Sequence, residues 1–411
     1  MDFDMPPEDD PRRLAVRTWL DENPRPGGRE LAEAGYVVPH WPGPWGLDAD
    51  PVHQLIIDEE LARAGVRRPR NDIGIGWAGP TILLAGTPEQ QARYLPKILS
   101  GEEIWCQLFS EPEAGSDLAG LATRAVADGD EYVVNGQKIW TSIAHQAQFG
   151  ILLARTDPDV GKHKGISYFI CPMDRPGVTV SPIVDMTGAH TFNQVFLSDV
   201  RLPAGLRVGE EGDGWRLAKV TLANERVALS SAGSLWGSGP SADALLGLAR
   251  AGGGVTDRLM RQRLARLHCD AEVLRLTRLR SLSARLAGRT PGPEASIVKI
   301  MADEHGQQVM GLAKDLAGAH GLLARSGPTG RLPPAARQGI LASDLGPGAA
   351  GGVEPIWHNG FLFSPALTIG GGTSAVQRNI VAERVLGLPR EPDPEAGLSW
   401  AETRRRSSAG G

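Results

Sequence analysis

Apolar positions along the chain change their period twice. From Pro11 to about Gly101 they recur at helical spacing: in PVHQLIIDEELARAG, Val52, Leu55, Ile56 and Ala62 fall close to one face of a 3.6-residue turn. Thr87-Pro88-Glu89-Gln90 predicts a further helix start, with Thr87 as N-cap, Pro88 at the first helical position and Gln90 placed to complete a capping box. Between about Glu103 and Glu210 the period shortens. Glu131 to Val134, Gly165 to Ile170 and Thr191 to Leu197 read as strands. Asn135-Gly136, flanked by two such runs, reads as a hairpin turn because both residues tolerate positive φ. From Gly214 the helical period returns, through Asp257 to Leu286 and Pro293 to Leu323, with glycine loops at Gly252 to Gly254 and Gly346 to Gly352.

Helices, then strands, then helices is unlike the alternating βαβ order of a doubly wound sheet, so the fold class is α+β. The boundaries fall at 1–103 for an N-terminal helical domain, 104–212 for a middle β-domain and 213–390 for a C-terminal helical bundle. The remainder, 391–411, ends in Arg404-Arg405-Arg406-Ser-Ser-Ala-Gly-Gly and is expected to be a disordered tail.

Composition narrows the function classes. A chain of 411 residues with 41% hydrophobic content can bury the cores of two or three packed units. A net charge of −5 argues against a general nucleic-acid binder, which needs a positive surface to displace phosphate counterions. The start, MDFDMPPEDDPRR, is acidic where a secretory signal is basic and then apolar, and no run approaches the roughly 20 apolar residues of a membrane span. A cytoplasmic protein is expected. Cys106, Cys171 and Cys269 are far apart and form no CxxC pair, so they read as ordinary thiols. The histidines show no HExxH spacing and no GxSxG elbow is present, which argues against a zinc or a serine hydrolase, and no metal is expected. Gly74-Ile-Gly-Trp-Ala-Gly79 has the letters of a dinucleotide fingerprint but neither the strand before it nor the helix opening within it, and Pro80 follows at once. It reads as a glycine-rich connection between helices.

The chemically informative stretch is Trp105-Cys-Gln-Leu-Phe-Ser-Glu-Pro-Glu-Ala-Gly-Ser-Asp117. Its small residues Ala114, Gly115 and Ser116 let backbone N–H groups approach a phosphate or carbonyl, so by chemistry alone it is a loop suited to a polar ligand or a plain turn. Together with Asn135-Gly-Gln-Lys-Ile-Trp-Thr-Ser142 it resembles the signature of the acyl-CoA dehydrogenase family. The resemblance continues through Phe192 to Pro203, Asn224-Glu-Arg-Val227, Arg261-Gln-Arg-Leu264 and Gly370 to Ile380, about nine-tenths of the chain in the family's order.

That resemblance implies a β-barrel-like middle domain, a four-helix C-terminal bundle, and FAD at the interfaces of a dimer of dimers. It places Phe109, Ser110, Gly115 and Ser116 along the flavin and thioester, Trp140 over the flavin face, Ser142 at flavin N5, Arg261 on the pyrophosphate of a neighbouring subunit's FAD and Thr373 at the end of the neighbour's groove. Leu264 and Ala265 stand where many members carry phenylalanine and glycine, Ala375 replaces a polar residue, and Asp315 begins a turn, to Gly321, that usually lies near the pyrophosphate. Many members carry the catalytic glutamate just before the Gly-Thr of the C-terminal loop, where this chain has Gly371. A second arrangement sets it on the helix opening the last domain, before an arginine. Here that is Glu225-Arg226, with Glu225 as base and Arg226 as its electrostatic neighbour and a substrate contact, alongside Ser116.

The implied activity is α,β-dehydrogenation of an acyl-CoA to the 2,3-enoyl-CoA, with electron-transferring flavoprotein as acceptor. The implied assembly is a homo-oligomer or a heterotetramer with a related subunit, and Gly370-Gly371-Gly372 leaves room for a branched or bulky acyl group such as a steroid-derived one. Two alternatives stay open: a non-catalytic or half-site subunit of a heteromeric enzyme, and an oxidase that reacts directly with oxygen.

Overall fold

The computed structural model describes residues 6–229, 235, 239–251, 254–286, 292–319 and 355–409. Five helices come first: α1 (Pro11–Glu22), α2 (Gly28–Glu33), α3 (Pro51–Arg63), α4 (Gly79–Ala85) and α5 (Pro88–Ser100). Asp10 and Asp50 cap α1 and α3 by accepting the backbone N–H of Arg12 and His53, and Thr87 with Gln90 makes the reciprocal capping box on α5. The GxGxxG segment is neither a phosphate loop nor an open connection. Gly74–Ala78 is one π-helical turn that runs straight into α4. Its glycines permit close packing: a Cβ on Gly74 would lie 2.3 Å from the Asn71 side chain, and one on Gly79 would lie 2.6 Å from the Trp41 ring.

The middle of the chain is one eight-stranded mixed sheet: β1 (Trp105–Leu108), β2 (Arg124–Asp128), β3 (Glu131–Ser142), β4 (Phe149–Arg155), β5 (Ile166–Pro172), β6 (Val178–Ile183), β7 (Phe192–Pro203) and β8 (Arg207–Val208). The spatial order is β6-β7-β3-β2-β4-β5-β8, with β1 pairing parallel to β4. The hairpin expected at Asn135-Gly136 is not there. The chain turns instead between β2 and β3, at Gly129 with φ +66°, and β3 runs through Asn135-Gly136 with a register shift against β7. The two residues serve other ends. The Asn135 side chain exchanges hydrogen bonds with Asp199 (2.9 and 3.0 Å), while a Cβ on Gly136 would come 2.3 Å from Thr123 Oγ1. Gly136→Ala is therefore expected to destabilise the protein by about 1–3 kcal/mol through overpacking, read as a lower midpoint of chemical denaturation.

Helices then return: α6 (Gly214–Leu229), α7 (Ala242–Ala251), α8 (Arg258–Leu286), α9 (Ala295–Ala317), α10 (Pro355–Phe363) and α11 (Ser374–Ile380). Most form their own core around Leu235, Leu264, Val309, Met310 and Trp357. Helix α6 is different. It lies against β5 and the π-helical turn, and its Leu217 and Ala218 join the core shared by the N-terminal helices and the sheet. Thr221 fixes it there, its hydroxyl 2.8 Å from that of Thr81 and 3.1 Å from that of Tyr168.

The tail expected to be disordered carries a helix, α12 (Trp400–Ala409), whose first backbone N–H groups donate to the carbonyls of Val160 and Pro158 at 2.9 and 3.0 Å. Trp400 explains the order. An indole that covers the Arg155 guanidinium at 4.5 Å and donates to the Gly120 carbonyl (3.3 Å) anchors a segment whose composition otherwise reads as solvated.

Candidate active site

The loop after β1 and the end of β3 are built as one unit. Lys138, fully buried on β3, reaches across to the Phe109 carbonyl (3.1 Å) and to Glu111 Oε1 (2.7 Å). Glu111 in turn accepts the backbone N–H groups of Ala122 and Thr123 at 2.6 and 3.0 Å. The Ile139 N–H donates to the Ser110 carbonyl at 2.9 Å. Phe109 and Ser110 are thereby held against the strand that carries Trp140 and Ser142. Burial opposes the Glu111 charge, but the Lys138 ammonium and the donors from Thr123 and Ala122 outweigh it and hold the carboxyl below its ordinary value.

Trp140 sits where the β3–β7 register breaks between Lys138 and Thr141. Its φ is +59°, a conformation rare for a bulky residue, and the residue is 58% exposed, with Phe192 edge-on to its ring at 6.0 Å. Ser142, two residues on, pairs in register with Phe192. Gly115 and Ser116 are exposed, and a Cβ on Gly115 would meet nothing within 4 Å.

Glu225 lies on α6, one turn beyond the anchored Thr221, and is 8% exposed. Gln107 of β1 donates toward Glu225 Oε2 at 3.4 Å. Gln107 stands two residues before Phe109, so the carboxylate faces the strand that leads into the signature. The other buried carboxylates among the described residues pair with basic side chains: Glu60 with Arg13 and Arg17, Glu103 with Arg93 and Lys97, Glu111 with Lys138 and Asp303 with Lys299. The side chain of Arg226 lies outside the described residues, as do His320 and Gly321 at the end of the turn that begins at Asp315.

The remaining predicted residues are on the C-terminal helices. Arg261 is exposed on α8 and Thr373 caps α11 by accepting the Val376 N–H. Gly371 and Gly372 before it have φ of +66° and +88°. Asp315, unexpected beside a phosphate, is engaged by Arg263 at 2.5 Å. Two of these places fit a polar cofactor by what they leave unsatisfied. The Thr141 hydroxyl between Trp140 and Ser142, and Ser374 Oγ with Gln377 Oε1 beside Thr373, are buried without hydrogen-bond partners. No group of three metal-ligating side chains occurs among the described residues. Cys106 and Cys171 are buried, and burial pushes the Cys171 thiol up to about 12.

The sequence reading missed Gln107, the Glu111–Lys138 pair and the Thr81–Thr221–Tyr168 cluster. Gln107 had a signal, since it shares the period-two face of Phe109. The other two join residues too far apart in the chain for any local pattern to pair them.

Three domain models of one family match the chain in order: the acyl-CoA dehydrogenase N-terminal domain over residues 11–102, its middle domain over 106–200 and its C-terminal domain over 212–386. Among curated proteins the chain is 42% identical over 361 residues to acyl-CoA dehydrogenase FadE34 of Mycobacterium tuberculosis, covering 88% of this chain but 46% of that protein, about half its length. It is 39% identical to acyl-CoA dehydrogenase IpdE1 of the same organism, covering 90% of this chain and 89% of that one. Among solved structures, the Tcur3481-Tcur3483 steroid ACAD superposes with a TM-score of 0.71 at 30% identity, and the ChsE4-ChsE5 complex of M. tuberculosis with 0.71 at 32%. Each alignment covers 95% of this chain and all of the matched one. No helix among the described residues is long and apolar enough to cross a membrane.

Proposed function

The chain belongs to the acyl-CoA dehydrogenase family of oxidoreductases, and from that premise we propose that it oxidises an acyl-CoA to the 2,3-enoyl-CoA with FAD as cofactor and Glu225 as base. The observation that carries this reading is the buried Glu225 carboxylate on α6, facing the strand that leads into the signature loop. Removing the α-proton of a thioester needs a carboxylate that is close and positioned, and a helix pinned at Thr221 supplies one. Bound FAD would supply the hydride acceptor for the β-carbon at its N5. Trp140 would cover one face of the ring, Ser142 would donate at N5, and Phe109, Ser110, Gly115 and Ser116 would line ring and thioester. Ser116 and Arg226 would contact the acyl-CoA. Arg261 would reach the pyrophosphate of a neighbouring subunit's FAD, where a guanidinium fork matches phosphate geometry, and Thr373 would close the same groove.

FAD bound in this way should make the purified protein yellow, and denaturation should release FAD and not FMN. A colourless protein that takes up no added FAD, alone or with a related chain, would refute the assignment.

The steroid label carried by a structural neighbour, with the open Gly370-Gly371-Gly372 turn, supports a bulky, steroid-derived acyl group. A heteromeric assembly with a related chain is supported by the ChsE4-ChsE5 complex and by the match to about half of FadE34. In such an assembly this chain would be either the active or the site-completing subunit, and electron-transferring flavoprotein would be the acceptor. Co-purification with a related chain, followed by a ferrocenium-coupled screen of acyl-CoA thioesters, tests both.

A further inference from the structure

Resting on that reading of the signature loop, we propose that the segment after the family-matched region, Glu395 to Ala409, is a latch that positions the 111–121 loop for substrate. The family match ends at residue 386, so nothing in it assigns a role to this segment. Its contacts converge on the two flanks of the exposed Gly115-Ser116 tip. On the near side, Arg404 pairs with Glu113 at 3.1 Å. On the far side, Lys162 is shared between Asp117 (3.1 Å) and Glu395 (2.8 Å), and the Trp400 indole N–H donates to the Gly120 carbonyl at 3.3 Å.

The central tie runs through Arg155. Its guanidinium donates to the carbonyls of Ala119 (2.7 Å) and Leu121 (3.2 Å) on the loop and of Lys162 (3.1 Å) on the neighbouring turn, and the Trp400 ring covers it at 4.5 Å. Trp400 thus holds the group that holds the loop. The inner end of the same loop is fixed independently by Glu111 and Lys138, so loss of the latch frees the tip and leaves the fold in place. Trp400 and Arg404 are positioning residues in this scheme, acting on substrate only through Gly115 and Ser116.

The test uses the full chain with its flavin. Trp400→Ala, alone and with Arg404→Ala, is compared with Trp400→Phe, which keeps a smaller aromatic ring over Arg155 and loses the N–H. Amide hydrogen exchange in peptides spanning 111–121 should quicken roughly tenfold, the effect of about 1.4 kcal/mol, which is the size of one cation–π contact with one exposed ion pair. Exchange in α8 and α9 should stay unchanged, and Trp400→Phe should recover most of the protection. The KM for an acyl-CoA that reduces the parent should rise by about the same factor while kcat stays within about threefold, the split expected of lost substrate positioning. Unchanged exchange in 111–121 overturns the latch. Faster exchange with unaltered KM and kcat overturns its role in substrate positioning. If no acyl-CoA reduces the parent, the proposed substrate class fails, and the exchange data still decide the latch by themselves.

Discussion

Glu225→Gln is expected to slow flavin reduction by an acyl-CoA by roughly 10² to 10⁴, the contribution of a positioned general base, while leaving substrate binding intact. The amide keeps the shape and one carbonyl oxygen, so the Gln107 contact at 3.4 Å can persist and α6 should stay seated at Thr221. What disappears is the negative charge and the basic lone pair. Rapid mixing with a good acyl-CoA separates the two steps, since binding perturbs the flavin spectrum and chemistry bleaches it. Reduction within a few-fold of the parent would show that Glu225 is only a buried helix charge. The companion change, Gly371→Glu in the Glu225→Gln background, puts a carboxylate at the family's other position. Gly371 has φ +66°, so a side chain there carries a backbone cost of roughly 1–2 kcal/mol. Partial recovery of the rate would establish that the two positions address one carbon.

Fold class and the order of helices and strands were legible because period is a local property. The stretch around Ile56 repeats every turn, and β7 alternates buried and more exposed positions within a few residues. Failures came where a residue's job is set by something distant in sequence. Asn135-Gly136 has the local preferences of a turn, yet Thr123 and Asp199, brought in by other strands, use the pair as a close approach and a side-chain tie. Gly74 to Gly79 reads as a break because glycine lowers helix propensity, but contact with Asn71 and Trp41 more than offsets that local cost. The 391–411 segment looked solvated by composition, and one tryptophan over one arginine anchors it. The site divides along the same line. The signature residues were readable from a resemblance, while the groups that hold them, Lys138, Glu111 and Gln107, come from long-range contacts that no window of sequence contains.

Removing the Glu111 carboxylate should cost more stability than any other single change in the site, because it strands a fully buried ammonium. Glu111→Ala leaves Lys138 with the Phe109 carbonyl alone and deprives the Ala122 and Thr123 N–H groups of their acceptor, so a loss of about 3–5 kcal/mol is expected. Lys138→Met should cost less, since the remaining carboxylate keeps both backbone donors. Glu111→Leu with Lys138→Met should recover much of the difference, as no charge is then buried without a partner. Chemical denaturation of all three, with flavin content measured alongside, tests the ranking. Equal losses for the two single changes would mean that the pair is not the unit of stability. The acid limb of the stability curve gives a second check. Glu111 is held below its ordinary value of 4.5, so its contribution is complete above that pH and is lost as the pH falls through the lower folded value. Burial pushes Lys138 down from 10.5, against the pull of Glu111 at 2.7 Å. The double variant should therefore lose less stability than the parent on titration below about 4.5, and an identical acid limb in the two proteins would remove Glu111 as its source.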